Sequence, residues 1–385
     1  MKKVILLLAI VACAASLTLS CRAEDDGSFR IGAIFPLTGP QAFFGTESRD
    51  GGLLAVERIN AEGGILGRQL ALLSEDDENN PALTVSAFTR LTTRERVSMI
   101  FGSSTSGATM AITDRAQAAG VLVMTPSATN INVTRAGNFI FRACFIDPFQ
   151  GIVGADFAFY DLGVRRAAVL FDVGADYNTG LAEAFRDRFV ELGGQIVAWE
   201  SYMTGDVDFA AQVTRIRATD PELVFLPNFL NDVALQSIQL RDQGVDAILL
   251  GGDGWDGLVG LMGVDGAGDE IVGGFWSAAF ASDTTDPRGV AFVQAFESRF
   301  NRPASQFAAL GYDSIMLIAA AIRNAGTFEV TAVRDALANI DDYFITGRIR
   351  FDEDRNPIKG AAILEIARMP DGRLANVYRT MVNPD

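Results

Sequence analysis

Two loops in this chain crowd short hydroxyl side chains: Gly102-Ser103-Ser104-Thr105-Ser106-Gly107 and Thr125-Pro126-Ser127-Ala128-Thr129. Each follows a short apolar run that reads as a buried strand, 97–101 and 121–124, and leads toward a helical pattern. At such a junction, hydroxyls and free backbone N–H groups hold a carboxylate or phosphate, because a helix start carries unpartnered donors and a partial positive charge. Ser and Thr are also the ordinary caps of helices, so either loop taken singly is equally a helix end. Two such loops one strand-helix unit apart lie side by side, which strengthens the case for a shared anion site. No Gly-Lys-Ser/Thr follows a glycine-rich loop, which excludes a P-loop.

The opposite charge comes later, in Leu249-Leu250-Gly251-Gly252-Asp253-Gly254-Trp255, where a carboxylate follows a buried strand among glycines. Asp253 is placed to meet a cation, and is equally a turn residue, since Asp and Gly dominate turns for backbone reasons. Tyr177 and the pair Phe43-Phe44 are aromatics on loops, either lids on the core or walls of a ligand pocket.

Catalysis has little to stand on. The chain has no histidine, Cys144 has no base beside it, and no Cys/His metal cluster is spelled out. The acidic run Glu75-Asp76-Asp77-Glu78 reads as a solvated strand end. No cofactor, no metal and no enzymatic activity are expected. With 48 acidic residues against 32 Lys plus Arg, net charge −16 and no basic cluster, nucleic acid is not an expected partner.

The elements that must position these residues alternate. Segments 30–36, 69–75, 97–102, 121–125, 166–171, 222–227 and 247–251 read as strands of the continuous apolar type found in parallel sheets. Helical patterns at 49–62, 82–94, 108–119, 180–192, 208–218, 232–243 and 289–300 separate or follow them. The rhythm predicts an α/β protein with two doubly wound sheets. Near the end, 361–367 and 374–381 flank Met369-Pro370-Asp371-Gly372 and predict a hairpin at a sheet edge.

The N-terminus has the order of a secretory leader: Lys2 and Lys3, the apolar run 4–15, then small and polar residues. Leu17-Thr18-Leu19-Ser20-Cys21 resembles a lipoprotein box, so we expect a signal peptide at 1–20, lipid on Cys21 and a tether at 21–28, with cleavage after Ala23 as the alternative. Export to the periplasm or cell surface is expected either way. Of three cysteines only Cys144 remains in the folded body, so no internal disulfide can form.

One family joins these landmarks. Ile31-Gly32 through Leu37-Thr38-Gly39-Pro40, Phe44-Gly45, Gly64-Ile65-Leu66-Gly67, Asp76-Asp77, the two hydroxyl loops, 172–180, Gly251-Gly252-Asp253 and the 351–360 segment follow in the order of the Leu/Ile/Val-binding type of periplasmic solute-binding protein, and the chain resembles it over 29–385. The resemblance implies two Rossmann-like lobes, 29–146 plus 277–347 and 147–276 plus 348–385, crossed near 144–148, 274–278 and 346–351, with a ligand cleft between. It implies that Ser106 and Thr129 hold a ligand carboxylate, that the Ser127 carbonyl and Asp253 hold its ammonium, and that Phe44, Tyr177, Phe229 and Phe307 wall the side-chain pocket, with Ser104 and Thr105 alongside.

It further implies a monomeric receptor that passes an apolar or aromatic amino acid, branched-chain first, to the permease of an ABC importer. Receptors for amides, urea or short carboxylates, and a signalling module, are the alternatives. Departures exist: the family usually has Glu where Asp253 stands and Tyr where Phe44 and Phe229 stand, and Asn79 and Thr105 occupy positions that some relatives join by a disulfide.

Overall fold

A computed structural model describes residues 27–384. The expected leader and Cys21, with most of the tether, lie outside the described residues.

Fourteen strands are present among the described residues: β1 Phe29–Phe35, β2 Leu70–Asp76, β3 Met99–Gly102, β4 Leu122–Thr125, β5 Ile140–Arg142, β6 Arg166–Asp172, β7 Gln195–Tyr202, β8 Leu223–Leu226, β9 Ile248–Gly251, β10 Phe275–Ala278, β11 Asp341–Phe344, β12 Gly347–Arg350, β13 Ala361–Arg368 and β14 Leu374–Val382. The first five form a sheet in the order β2-β1-β3-β4-β5, parallel throughout. A second sheet runs β14-β13-β10-β9-β8-β6-β7, parallel from β10 to β7 and antiparallel at its β13-β14 edge. β11 and β12 pair as a separate hairpin. The expected two doubly wound sheets and the edge hairpin are thus present.

The apolar composition of the strands follows from this layering. β3, β4 and β8 are buried at every residue because helices cover both faces of their sheets. Helix Ala42–Ala61 covers one face of the five-stranded sheet and packs along helix Gln306–Ala325. The two helices approach at glycines: a Cβ on Gly51 would meet the Ala308 carbonyl oxygen at 1.9 Å, and one on Gly311 would meet that of Ser48 at 2.0 Å. Ser305 caps the second helix, its hydroxyl accepting from the Ala308 N–H at 3.1 Å, and Gly326 ends it in the left-handed region.

The chain passes between the sheets three times. It leaves the five-stranded half after β5, returns after β10, and crosses again between β12 and β13. Two of the expected positions need correction. Segment 274–278 is not a connection: β10 pairs with β9 and β13, so a division at 276/277 would cut a strand of the seven-stranded sheet. A division at 347/348 likewise cuts β12 from its hairpin partner β11. Asp313 anchors the turn of the β11-β12 hairpin by accepting from the N–H groups of Ile345 at 3.0 Å and Thr346 at 2.8 Å.

Candidate ligand-binding site

The carboxyl ends of both sheets face one cleft, as open parallel sheets dictate. From the five-stranded half come the loops after β3 and β4. From the seven-stranded half come the segments after β6, β8 and β9. One cavity is lined by Phe44, Ser104, Thr105, Ser106, Ser127, Tyr177, Phe229, Asp253, Gly254 and Phe307. Nine of the ten candidate ligand-binding residues therefore meet; the tenth, Thr129, is fully buried in the same loop as Ser127, and its backbone carbonyl accepts from the Asp147 N–H.

The hydroxyls divide their work. Ser103 donates to Asp77 at 2.8 Å, Ser104 to the Phe44 carbonyl and Ser48, and Ser127 to the Ser104 carbonyl at 2.7 Å. Thr105 donates to the Asn79 side chain, so the two positions that some relatives join by a disulfide are here joined by a hydrogen bond. Ser106 accepts from the Asn130 N–H at 3.1 Å and keeps its own proton free to give. No side chain caps helix Ser106–Ala119, which removes capping as the purpose of the first loop and leaves the N–H groups of a 14-residue helix open toward the cleft.

Asp253 starts a 3-10 turn directly after β9 and is 3% exposed. Gln150 grips it twice, accepting from its N–H at 2.7 Å and donating to its carboxylate at 3.1 Å. Gln306 donates to its carbonyl at 3.0 Å, and Ser277 donates to Gln150 at 2.7 Å. A Cβ on Gly252 would come within 2.6 Å of Leu181 and 2.8 Å of the Tyr177 hydroxyl, so glycine is required beside the acid. Burial raises the Asp253 carboxyl to about 6, with the Tyr177 and Gln150 side chains pulling it back toward ionisation. Tyr177 accepts from the Gly254 N–H at 3.1 Å, and burial holds its phenol well above its ordinary range.

The aromatics form a continuous wall. Phe44 lies 5.3 Å from Phe229 and 4.8 Å from Phe307 between ring centroids, and Tyr177 stacks on Phe229 at 5.1 Å. The space left within the cavity is about 10 Å³, close to the minimum for one water. A ligand of amino acid size exceeds this space, so the halves must part to admit it.

Two buried residues of the first crossing escape the sequence reading: Gln150, described above, and Asp147. Asp147 is 1% exposed at the start of helix Asp147–Asp156, and neither carboxylate oxygen has a hydrogen-bond partner; Thr129 Oγ1, nearby, is also unpartnered. Burial pushes the Asp147 carboxyl up to about 8; the Thr129 side chain and the Arg142 guanidinium oppose the rise, and Asp253 adds to it. No residue type or spacing announces this acid; Asp-Pro reads as a helix start.

A raised folded value has a definite sign. The stability that Asp147 confers is fully present below its unfolded value of about 3.9 and is lost as pH climbs through about 8. The ligand-free protein is therefore expected to weaken from pH 5 to pH 8.5. Asp147→Asn should recover about 2 to 4 kcal/mol more at the upper than at the lower pH, read by urea unfolding at both. An equal effect at the two pH values would show that the acid is not held neutral.

The family model described as periplasmic binding protein matches residues 28–373. The chain is 34% identical over 336 residues to Leu/Ile/Val-binding protein homolog 3 of Brucella melitensis, covering 86% of this chain and 88% of that one. Its fold superposes on the branched-chain amino acid transporter substrate-binding protein LivJ of Streptococcus pneumoniae, solved in complex with isoleucine, with TM-score 0.84 and 32% identity, covering 93% of this chain and 100% of the other. The leucine-binding protein LivK of Thermotoga maritima gives TM-score 0.85 at 29% identity, covering 92% and 99%. With its two parallel sheets, its cleft and these matches over nearly its whole length, this chain belongs to the periplasmic binding protein family.

Proposed function

We propose that this chain is the extracytoplasmic substrate-binding protein of an ABC importer and that it captures an amino acid with an apolar side chain, of the branched-chain class, between its two halves. One observation carries the reading: a buried carboxylate from one half, Asp253, lines the same apolar cavity as the uncapped start of helix Ser106–Ala119 and the free Ser106 hydroxyl from the other. Opposite charges on opposite halves suit a zwitterion. Such a ligand gains contacts on closure that the open state lacks, and only differential contacts of this kind drive closure.

In this reading Asp253 and the Ser127 carbonyl take the ammonium. Ser106 and Thr129 take the carboxylate through hydroxyl and N–H groups. Phe44, Tyr177, Phe229 and Phe307 enclose an apolar side chain, with Ser104 and Thr105 shaping the floor from the adjoining loop. The relatives named for Leu, Ile and Val, and the isoleucine complex of LivJ, support that ligand class. The chain acts as a carrier that performs no chemistry on its ligand, works as a monomer, is exported, and is tethered by lipid on Cys21 near its permease.

The test is a thermal-shift screen of protein unfolded and refolded to strip bound ligand, against the twenty amino acids, urea, short amides and small carboxylates. Ligand at one hundred times its Kd adds about 2.7 kcal/mol to the folded state, and the melting midpoint rises with it. Shifts confined to leucine, isoleucine, valine and their apolar neighbours are expected. Shifts with carboxylates or amides alone would overturn the amino acid assignment.

A further inference from the structure

Behind the aromatic wall lies a second and much larger cavity, of about 570 Å³, that the amino acid site does not use. It shares its partition with that site. In each of the neighbouring pairs Phe43/Phe44, Leu230/Phe229 and Gln306/Phe307, the first residue lines the outer cavity and the second the inner one. The turn after β9 does the same with two acids: Asp253 faces inward and Asp256 outward. Gln306 ties the two together, its side chain donating to the Asp253 carbonyl at 3.0 Å and its backbone N–H to the Asp256 carboxylate at 2.8 Å.

The outer cavity is built from both halves. Phe43 and Glu47 belong to helix Ala42–Ala61 on the five-stranded sheet and Arg302 to the loop that leads into helix Gln306–Ala325, whereas Leu230, Val259 and Trp276 belong to the seven-stranded half. At its rim Asn231 donates across the gap to the Pro40 carbonyl at 2.7 Å. The cavity therefore exists in this form only when the halves meet.

Its chemistry is one-sided. Aromatic and aliphatic side chains supply most of the walls, and three carboxylates, Glu47, Asp256 and Asp283, line it against a single guanidinium, Arg302. Arg302 is already committed, to Glu47 at 2.6 Å and to Asp50 at 2.7 Å. Asp256 and Glu47 are themselves buried at 7% and 3% exposure. An organic anion meets net negative charge in this space. An apolar cation meets carboxylates and the aromatic rings of Phe43, Trp276 and Phe280 in the lining, which favour it over an anion.

We propose that this outer interlobe cavity is a second binding site, for an apolar organic ammonium, and that its occupancy favours the closed arrangement and so tightens the amino acid site. By linkage the two ligands must strengthen each other equally.

The experiment titrates phenethylammonium into the full chain by calorimetry, with phenylacetate as the anionic counterpart. Leucine is absent first and saturating afterwards. Phenethylammonium is expected to saturate below about 1 mM, which is about 4 kcal/mol of binding, and phenylacetate is not. Asp256→Asn and Val259→Trp, which removes the charge and fills the space respectively, should each weaken phenethylammonium at least tenfold. Leucine should tighten it threefold or more, and the reverse should hold. Equal binding of the two probes, no saturation, or retained affinity in Val259→Trp would overturn the site. Displacement of the probe by leucine would place it in the inner cleft and overturn the proposal equally, and absence of mutual tightening would refute the link to closure. Because the first titration needs no leucine, failure of the amino acid assignment is seen separately from failure of this site.

Discussion

Asp253→Ala should weaken leucine binding by about 2 to 5 kcal/mol, a loss of roughly thirtyfold to several thousandfold. The size follows from burial. Asp253 is 3% exposed; Gln150 donates to its carboxylate and accepts from its N–H, and Gln306 donates to its carbonyl, so the turn that carries the acid is fixed and the carboxylate does not swing out to solvent when the ligand leaves. An ammonium brought into the closed cleft without it is a buried, uncompensated charge. The pH dependence has a fixed sign. Burial raises Asp253 to about 6, and a bound ammonium pulls that value down, so ligand binding favours the ionised carboxyl. Leucine affinity is expected to hold from pH 7 to 8 and to fall as pH drops below about 6; in Asp253→Ala that component of the fall disappears. Calorimetric titration at pH 5.5 and 7.5 checks both statements, and an affinity that is flat with pH and indifferent to the substitution would show that Asp253 does not meet the ligand.

The second large effect lies behind the site. Arg142, the last residue of β5, is fully buried and donates to the carbonyls of Ala128 at 2.6 Å and Asn130 at 2.8 Å and to Thr134 Oγ1 at 3.3 Å. It thereby clamps the loop that carries Ser127 and Thr129 and sets a positive charge toward Asp147. Arg142→Met leaves buried carbonyls without donors and Asp147 without that charge, and should cost about 3 to 5 kcal/mol of folding stability. Arg142→Lys keeps the charge and loses the two-pronged geometry, so an intermediate loss is expected. Urea unfolding at pH 7.5 measures both. An unchanged midpoint in Arg142→Met would mean that the loop is held by other contacts.

Much of this arrangement could be read from residue patterns because local and global preferences agree. The inner strands of both sheets are apolar on both faces, which is why runs such as 97–102 and 247–251 announce themselves. The hairpin of β13 and β14 carries its turn signal, with Gly372 in the left-handed region. Helix Gln306–Ala325 is not among the helical patterns read from the sequence, although Ile315, Ile318 and Ile322 recur along it at helical spacing and it is buried over most of its length. β7 went unread because, as an edge strand, it is only partly buried and chemically mixed. Helix Ala42–Ala61 starts seven residues before the amphipathic pattern at 49 becomes visible, because its first turns lie between the halves and carry Phe43 and Phe44.

The site divides along the same line. Residues on strand-to-helix loops were legible, since the parallel sheet fixes where such loops point. Gln150 and Asp147 were not, because their meaning lies in a partner far along the chain: Gln150 meets Asp253, 103 residues away, and the same acid acts on Asp147 only once the chain has folded. The Phe residues at 44 and 229 take a simpler meaning from the structure. With Phe307 they contribute no hydroxyl to the wall, and its phenol, Tyr177, accepts from the Gly254 N–H and so steadies the turn that carries Asp253.

The measurement that bears most directly on the central claim is a paired titration of leucine and 4-methylpentanoate, the same molecule without its amino group, against the stripped wild-type chain and Asp253→Ala. The zwitterion reading predicts that the wild type prefers leucine by at least about thirtyfold, the lower end of a buried charge pair, and that the preference collapses in the variant while 4-methylpentanoate binds the two proteins alike. Equal affinity of the wild type for both compounds, or a preference for leucine that survives in Asp253→Ala, would contradict it.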